Sequence, residues 1–370
     1  MLKKSHLFFA VFFILITGLL VTTAFATGEI RAADSSYLEI EDRAGRQVEV
    51  PGEPENIIVV GSGALRNVLY FESPEIIAGV EEGETAPDEE LYRDYQLANE
   101  ELREKPEVGP HHGGDTELIA AREPDLVIHS GDAGDAADLQ SQIGIPVVYL
   151  DFGDLHKYRD TLFADWKILG EIFGAEGRAE ELIDFTEGLI DDLESRTADI
   201  SPEDRPEVYV GGQSHRGGHG ITSVRVPFPP FEFTNVNHVA EKELDYDTVT
   251  QANIDREQLL YWDPEYIFLD SSNLDLIEED ISRHAEYSHL EAIQEERVFT
   301  LLPFSSYHRQ FSNILANAYF TGSIVYPEEF EDIDAEAKAR EIMEEFLGEP
   351  VLAGQREHFT IFEQIDLLEE

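Results

Sequence analysis

Asp115-Thr116-Glu117-Leu118-Ile119, followed by Pro124-Asp125-Leu126-Val127-Ile128, is matched later by Asp255-Arg256-Glu257-Gln258-Leu259, followed by Pro264-Glu265-Tyr266-Ile267-Phe268. The spacing from aspartate to glutamate to proline is the same in both segments. Aspartate is favoured as the N-cap of a helix and proline ends one, so each segment predicts a short capped helix that leads into a buried strand. The sequence therefore predicts two related halves, each exposing a glutamate, Glu117 or Glu257, in the first turn of an equivalent helix.

Apolar runs on both sides of these segments predict further strands. They lie at 57–60, 76–80, 126–129 and 147–150 in the first half, and at 208–211, 266–269 and 298–301 in the second. Runs that are apolar on every side are typical of parallel sheets, and their alternation with helical patterns predicts α/β lobes. A hairpin of residues 38–42 and 47–50 precedes the first lobe, and helices are expected near 310–324 and 335–346.

The middle of the chain, from Lys157 to about Ile200, carries apolar residues at helical spacing and no strand pattern. Gly174-Ala175-Glu176-Gly177 separates two predicted helices, of which the second is long. The predicted fold is α/β, with two lobes of mostly parallel sheet joined by a single long helix. We divide it into an N-terminal lobe at 37–156, a helical bridge at 157–200, and a C-terminal lobe with a terminal helix at 205–370.

The amino terminus has the parts of an export signal. Lys3 and Lys4 precede an apolar stretch that ends in Ala24-Phe25-Ala26, as in a secretory signal peptide. The stretch is also long enough to be a membrane anchor, so residues 1–27 are assigned to one or the other. Either way, the remaining chain is expected at the extracellular face of the cytoplasmic membrane. Because the chain has no cysteine, disulfides, thiolate metal sites and a cysteine-linked lipid are excluded.

The net charge is −52, from 78 acidic and 26 basic residues. Like charges at this density oppose compaction unless salt screens them, so the composition indicates a halophilic protein in a saline medium. A nucleic-acid partner is disfavoured, because binding to phosphates requires a basic surface.

The matched segments, together with the opening hairpin around Asp42 and Gly45, resemble the ABC-importer receptors that bind vitamin B12, ferric siderophores and haem. The resemblance extends over 37–346. In that family one long helix joins two lobes, and a glutamate of each lobe docks on arginines of the permease; Glu117 and Glu257 match those positions. The resemblance implies a non-enzymatic monomer without an intrinsic cofactor. Its partners would be an ABC permease with its ATPase, and its ligand an iron or cobalt complex.

The ligand is expected between the lobes, on loops that follow the carboxyl ends of strands. The segment 211–220 places two histidines and an arginine in a glycine-rich loop directly after a strand, where the backbone can approach a ligand closely. Arginines in so acidic a chain favour an anionic ligand, which favours an iron chelate over the other chelates. The candidate ligand contacts are Arg66, His129, His215, Arg216, His219, Ser272, Tyr307 and Arg309.

Three alternatives stay open. A receptor for a bare metal ion would use histidines such as His111, His215 and His219, although in this loop His215 and His219 are weak candidates for direct metal ligands. A chelatase-like enzyme could share the fold, but the sequence has no phosphate-binding glycine loop, no H-E-x-x-H and no G-x-S-x-G. A sensor ectodomain would bind the same ligand and pass it to a different partner.

Overall fold

The computed structural model describes residues 37–85, 93–214, 217–244 and 251–368. Its strands are β1 (Tyr37–Glu41), β2 (Gln47–Pro51), β3 (Ile57–Val60), β4 (Ile77–Gly79), β5 (Leu126–His129), β6 (Val147–Tyr149), β7 (Glu207–Gly211), β8 (Ser223–Val224), β9 (Asn237–His238), β10 (Ala252–Asn253), β11 (Tyr266–Asp270), β12 (Val298–Leu301), β13 (Ser305–Ser306) and β14 (His308–Arg309). Its α-helices are α1 (Ala64–Val68), α2 (Asp94–Ala98), α3 (Thr116–Ala120), α4 (Ala133–Ile143), α5 (Arg159–Phe173), α6 (Glu176–Thr197), α7 (Pro229–Phe233), α8 (Arg256–Trp262), α9 (Leu274–Arg283), α10 (Glu291–Gln294), α11 (Phe311–Val325), α12 (Ala335–Leu347) and α13 (Leu352–Arg356).

Two parallel sheets confirm the predicted α/β class. The first has the order β4-β3-β5-β6, and the second has the order β12-β11-β7-β9. The apolar runs predicted the strands of both sheets closely, with the exception of β9. That edge strand contains two residues, too few for a periodic pattern to show.

The two matched segments adopt the same local structure. The residues before their prolines, Glu123 and Asp263, both have positive φ, at 49° and 46°. The side chain of Asp115 caps α3, accepting hydrogen bonds from the amides of the two residues in the first turn, Glu117 and Leu118. The matching prediction for Asp255 is wrong in one respect: it occupies the N-cap position of α8, but its side chain makes no capping hydrogen bond.

The acidic residue after each proline makes the same pair of hydrogen bonds in both halves. The amide of Asp125 donates to the carbonyl of Asn56 at 2.8 Å, and its carboxylate accepts from the amide of the same residue at 3.2 Å. Glu265 makes the corresponding pair of contacts with Glu207, at 2.8 and 3.1 Å. Each acid therefore joins the start of one strand to the start of its parallel neighbour, β5 to β3 and β11 to β7.

Helices α5 and α6 connect the last strand of the first sheet to the first strand of the second. α6 is 22 residues long, and its buried positions recur at helical spacing. Trp166 of α5 is completely buried, and its indole nitrogen donates to Asn67 of α1 at 2.8 Å. The connection therefore contacts both halves of the chain: α5 is hydrogen-bonded to α1, whereas α6 packs against α7 and α11.

The apolar core divides into three clusters of buried side chains. Two of them lie on the faces of the first sheet, and the third is larger and contains the second sheet, α6, α11 and α12. The C-terminal helices α12 and α13 also contact α2, which belongs to the first half of the chain. The segment 1–27, predicted as a signal or an anchor, lies outside the described residues. Of the helices in the described residues, none has the length and hydrophobicity that crossing a bilayer requires.

Candidate ligand site between the two sheets

Loops that follow the carboxyl ends of the two sheets contact each other through one hairpin. This hairpin, residues 305–309, contains β13 and β14 and has Tyr307 at its tip; we call it the Tyr307 hairpin. Ser62, after β3, donates from Oγ to the carbonyl of Tyr307. Arg309 donates from Nη1 to the carbonyl of Gly153, after β6, at 3.2 Å. Of the predicted ligand loops, the one after β3 and the one after β12 therefore contact each other at this hairpin.

Glu81, which follows β4, is the buried acceptor at the centre of this contact. Its side chain is only 3 % exposed. One carboxylate oxygen accepts from the amides of Gly61 at 3.0 Å and Gly113 at 2.7 Å, and the other accepts from the hydroxyl of Tyr307 at 2.7 Å. Through these three hydrogen bonds Glu81 joins two loops of the first sheet to the hairpin of the second.

Tyr307 lies in a polar aromatic environment. Its ring centroid is 4.5 Å from that of His111 and 5.2 Å from that of His112, and the guanidinium of Arg93 lies 5.2 Å above the ring. The hydroxyl also accepts from the amide of His112 at 2.8 Å. Burial, followed by the charge of Glu81, raises the pKa of Tyr307, so its hydroxyl remains a donor. The backbone φ of Tyr307 is 63°, a left-handed conformation that residues other than glycine seldom adopt.

Arg66, predicted as a ligand contact, is held by protein groups. It is 1 % exposed, and its Nε donates to Asp94 at 3.0 Å. Its Nη1 donates to the carbonyl of Arg309 at 3.1 Å, and its Nη2 to that of Ser306 at 3.3 Å. The arrangement directs the donors of the guanidinium to the Tyr307 hairpin and to a buried carboxylate. A ligand contact of Arg66 stays a prediction that would require the hairpin to move.

A second buried arginine supports the same hairpin. Arg93 donates from Nη1 to Glu84 at 2.7 Å and from Nε to the hydroxyl of Ser306 at 3.3 Å. Glu84 also accepts from the hydroxyl of Tyr95 and, at 2.7 Å, from the side chain of Gln96. Buried ion pairs persist where further hydrogen bonds satisfy the remaining donors and acceptors, as they do here.

Two other guanidinium groups, those of Arg309 and Arg225, lie near the hairpin and near each other. Arg309 has a side chain that is 30 % exposed and lies 3.8 Å from a carboxylate oxygen of Asp154. Arg225 lies 4.6 Å above the ring of Phe304. Burial, followed by the positive charge of Arg309, lowers the pKa of Arg225 to about 10, and the buried carboxylate of Asp270 opposes this only in part. With a pKa of about 10, Arg225 stays charged at neutral pH, and the two neighbouring guanidinium groups form a cationic region that an anion would stabilise.

Two buried histidines, His129 and His308, have lowered pKa values. His129, a predicted ligand contact at the end of β5, is 2 % exposed, and burial lowers its pKa. His308 lies close to Gly63; burial and the charges of Arg309 and Arg66 lower its pKa further. The Nδ1 atoms of both histidines have no hydrogen-bond partner among the described residues. A neutral imidazole with a free nitrogen can accept a hydrogen bond or ligate a metal.

Ser272, another predicted contact, forms part of the turn after β11. Its hydroxyl and its amide both contact Oδ1 of Asp270, at 2.5 and 3.1 Å. The next residue, Asn273, donates to the carbonyl of Gly212 at 2.6 Å. Gln213 is 1 % exposed, and neither polar atom of its amide has a hydrogen-bond partner in the described part of the chain. These polar groups lie at the carboxyl edge of the second sheet.

The glycine-rich loop is described only in part. His215 and Arg216, both predicted ligand contacts, lie outside the described residues. His219 is described and half-buried. No group of three or more His, Asp or Glu side chains in the described ranges is arranged to hold a metal ion. The interpretation as a receptor for a bare ion therefore depends on His215, beyond those ranges.

Glu117 and Glu257 are exposed, as the matched segments predicted. Each lies in the first turn of a helix that leads into the amino end of a strand, so each first turn lies toward the carboxyl edge of its sheet. Glu257 is 78 % exposed and lies 3.6 Å from the guanidinium of Arg256. Glu117 has no cationic partner within the described residues.

Sequence reasoning missed the buried acids and two of the arginines. Glu81 directly follows a predicted strand, so the rule that selected the other loops could have included it. Arg93 precedes α2, and Arg225 directly follows the two-residue strand β8, where no apolar run marks a site. Their proximity to the hairpin is set by contacts far apart in the sequence, which periodicity does not report.

Comparison with known proteins agrees with this architecture. A family model described as periplasmic binding protein matches residues 68–303, more than half of the chain. No curated protein matches the sequence significantly. Among solved structures, the molybdate-bound periplasmic binding protein MolA of Haemophilus influenzae has 18 % identity and a TM-score of 0.68, covering 84 % of this chain and 98 % of its own.

Two further structures have the same fold. A periplasmic solute binding protein of Veillonella parvula has 17 % identity and a TM-score of 0.70, covering 87 % of this chain and 96 % of its own. The petrobactin-binding protein YclQ of Bacillus subtilis has 14 % identity and a TM-score of 0.54, covering 84 % and 98 %. At such identities the similarity establishes the fold, and the named ligands belong to those proteins.

The two-lobed α/β fold, with loops of both lobes meeting at one site, defines a solute-binding receptor of the kind that serves ABC importers. The chain belongs to the periplasmic binding protein family. Membership places it outside the cytoplasm and implies a small-molecule ligand and a cognate permease with its ATPase. The family is one of receptors and not of enzymes.

Proposed function

We propose that this protein captures an anionic metal chelate, with a ferric siderophore preferred over haem and a cobalamin, and delivers it to an ABC permease. The observation that carries the proposal is the pair of guanidinium groups of Arg225 and Arg309 beside the Tyr307 hairpin. Two neighbouring guanidinium groups at the site, in a chain of net charge −52, favour an anionic ligand over a cationic or neutral one.

The ligand would lie between the lobes, next to the Tyr307 hairpin. The hydrogen bonds of that hairpin to Glu81 and Arg66 hold the lobes together in this conformation. Entry of a large chelate therefore requires the hairpin and the first lobe to separate. The long helix α6 would limit that separation to a small hinge movement.

Delivery would use Glu117 and Glu257 as contacts for arginines of the permease. The protein would be a monomer held at the outer face of the membrane by its permease or by an uncleaved N-terminal segment. We expect Glu117→Arg combined with Glu257→Arg to abolish uptake while ligand affinity stays unchanged. Loss of ligand affinity in the double variant would instead mean that these residues shape the ligand site.

The ligand class is tested by intrinsic fluorescence of the purified mature chain in molar salt. Titrants would be ferric catecholate and carboxylate siderophores, haem, cobalamin, molybdate and bare metal ions. Saturable binding of one anionic chelate at micromolar concentration or below, about −8 kcal/mol or better, supports the proposal. Binding of bare ions alone would contradict it and would move the site to the histidines.

The role of the two cations is tested by neutral substitution. Arg225→Gln and Arg309→Gln should each weaken binding of the anionic chelate, because each removes a charge that the ligand would neutralise. Arg297→Gln is the matched control, since Arg297 also lies above an aromatic ring, 5.2 Å from that of Tyr266 at the other end of the sheet. Equal affinities in all three variants would rule out the cation pair as the ligand site.

A further inference from the structure

The exposed face of α8 carries a large aromatic side chain beside its docking glutamate. Tyr261 is 79 % exposed, the highest value among the exposed large apolar side chains of the described residues. It follows Glu257 by four positions, and residues four apart lie on the same face of a helix. Leu259 and Trp262, on the opposite side, are buried and hold the helix in this orientation.

The exposed face of α3 has an apolar side chain in a similar relation. Leu118 is 44 % exposed and directly follows Glu117. The repeat does not require either residue: the positions equivalent to Leu118 and Tyr261 in the other half are Gln258 and Ala121. Each half has therefore acquired its own exposed apolar residue beside the glutamate that the halves share.

Both faces are acidic as well as partly apolar. Asp115 and Glu123 flank the first, and Asp255 and Asp263 flank the second; all four are exposed. A surface of this kind is complementary to a partner whose surface has apolar pockets surrounded by arginines. Tyrosine is suited to such a contact, because it buries a large area while losing little side-chain entropy.

We infer that Tyr261 and Leu118 are apolar anchors that insert into the outward-facing surface of the permease, next to the two glutamate contacts. The inference rests on the proposed function. The two anchors would supply desolvated contacts that slow the dissociation of the receptor from the permease. Glutamates at a rim mainly steer the encounter and are screened by salt, whereas apolar burial is not. In a saline medium the anchors would contribute more of the affinity than the glutamates do.

The affinity test uses the permease complex reconstituted in proteoliposomes with the purified receptor in molar salt. Tyr261→Ala should weaken receptor binding at least tenfold, Tyr261→Phe should restore most of it, and Leu118→Ala should weaken it less. Tyr158→Ala is the matched control, because Tyr158 is 53 % exposed and belongs to neither helix, since it occupies the N-cap position of α5. Unchanged affinity in Tyr261→Ala, or an equal loss in Tyr158→Ala, overturns the inference.

A second measurement uses the absence of cysteine from the chain. Tyr261→Cys and Tyr158→Cys each create a single attachment point for a benzophenone maleimide. On right-side-out membrane vesicles that contain the permease, light should cross-link the label at 261 to a permease subunit and leave the label at 158 unlinked. Equal cross-linking from both positions, or none from 261, contradicts an anchor at that position.

The outcome for the glutamates separates this inference from the proposed function. Suppose that Glu117→Arg with Glu257→Arg abolishes uptake, while Tyr261→Ala leaves both uptake and affinity for the permease intact. Docking through the glutamates is then supported, and the inference of apolar anchors is wrong. If neither change affects uptake although the receptor binds its ligand, the proposed delivery to the permease through these helices is wrong. The inference of apolar anchors, which rests on it, is then wrong as well. Ligand affinity should be the same in all of these variants.

Discussion

At the scale of single residues, the site depends on buried polar groups that satisfy one another. Glu81 and Arg66 are each almost completely buried, and each contacts the Tyr307 hairpin. Sequence reasoning selected Tyr307 and Arg309 as ligand contacts; both contact groups of the first half of the chain, and their contact with a ligand stays a prediction. It did not predict that Arg66 would be ion-paired, because its partner Asp94, the first residue of α2, lies 28 positions further along the chain. Pairing of this kind is set by the fold and leaves no periodic pattern.

Removing the hydroxyl of Tyr307 should weaken the contact between the lobes. In Tyr307→Phe the carboxylate of Glu81 keeps its two amide donors but loses the third, and the amide of His112 loses its acceptor. We expect the free energy of unfolding to fall by about 1–3 kcal/mol, measured by urea denaturation in molar salt. Tyr158→Phe, at an exposed tyrosine, should change it by much less. An unchanged value for Tyr307→Phe would mean that water replaces the hydroxyl.

At the scale of elements, the helices and strands follow from local patterns. The bridge was predicted as two helices separated by Gly174, and α5 and α6 end and begin there. The apolar runs predicted β3, β5 and β12 with the bounds that the structure has. The features that were not predicted include the edge strand β9 and the hairpin of β13 and β14. Both consist of two-residue strands, whose conformation is fixed by neighbours and not by their own composition.

Helix α5 holds the exit of β6 through a buried carboxylate. Asp165 accepts from the amides of Phe152 at 2.7 Å and Asp151 at 3.1 Å, and lies 3.3 Å from the guanidinium of Arg43. Burial raises the pKa of this carboxyl to about 6, although these donors lower it in part. The folded chain therefore binds a proton between about pH 6 and 4 that the unfolded chain releases.

The contribution of Asp165 to stability should consequently be greatest below about pH 4 and decrease as the pH rises to about 6, by up to about 3 kcal/mol. The difference in the free energy of unfolding between the native chain and Asp165→Asn, measured from pH 4 to pH 8, should shift in favour of the variant as the pH rises. Asp160→Asn, at an exposed aspartate of the same helix, should show no such shift. A constant difference for Asp165→Asn would contradict the raised pKa.

At the scale of the whole molecule, the main feature is the large excess of acidic over basic residues. The 26 basic residues are too few to form ion pairs with all 78 acidic residues, which leaves the net charge of −52. Several of those basic residues are also buried inside the fold, as Arg66 and Arg93 are. The composition predicted this property, and the resemblance predicted the two-lobed fold. The ligand contacts remain predictions, since His215 and Arg216 lie outside the described residues.

Thermal stability should increase with salt concentration. Screening shortens the Debye length from roughly 10 Å at 0.1 M to roughly 3 Å at 1 M, which removes most of the repulsion between exposed carboxylates. We expect the melting temperature, followed by circular dichroism, to rise over that range in KCl and to rise similarly in NaCl. A melting temperature that is flat from low to molar salt would show that the acidic surface does not require a saline medium.

The Tyr307 hairpin belongs to the second lobe by its place in the chain and to the first by its hydrogen bonds. If the chain were cut after α6, Arg66 would keep Asp94 and Glu81 would keep its two amide donors, but both would lose their bonds to the hairpin. The two halves therefore share part of their buried polar network. The protein should unfold as one cooperative unit, and engineering that exchanges lobes between receptors would have to transfer this hairpin together with the first lobe.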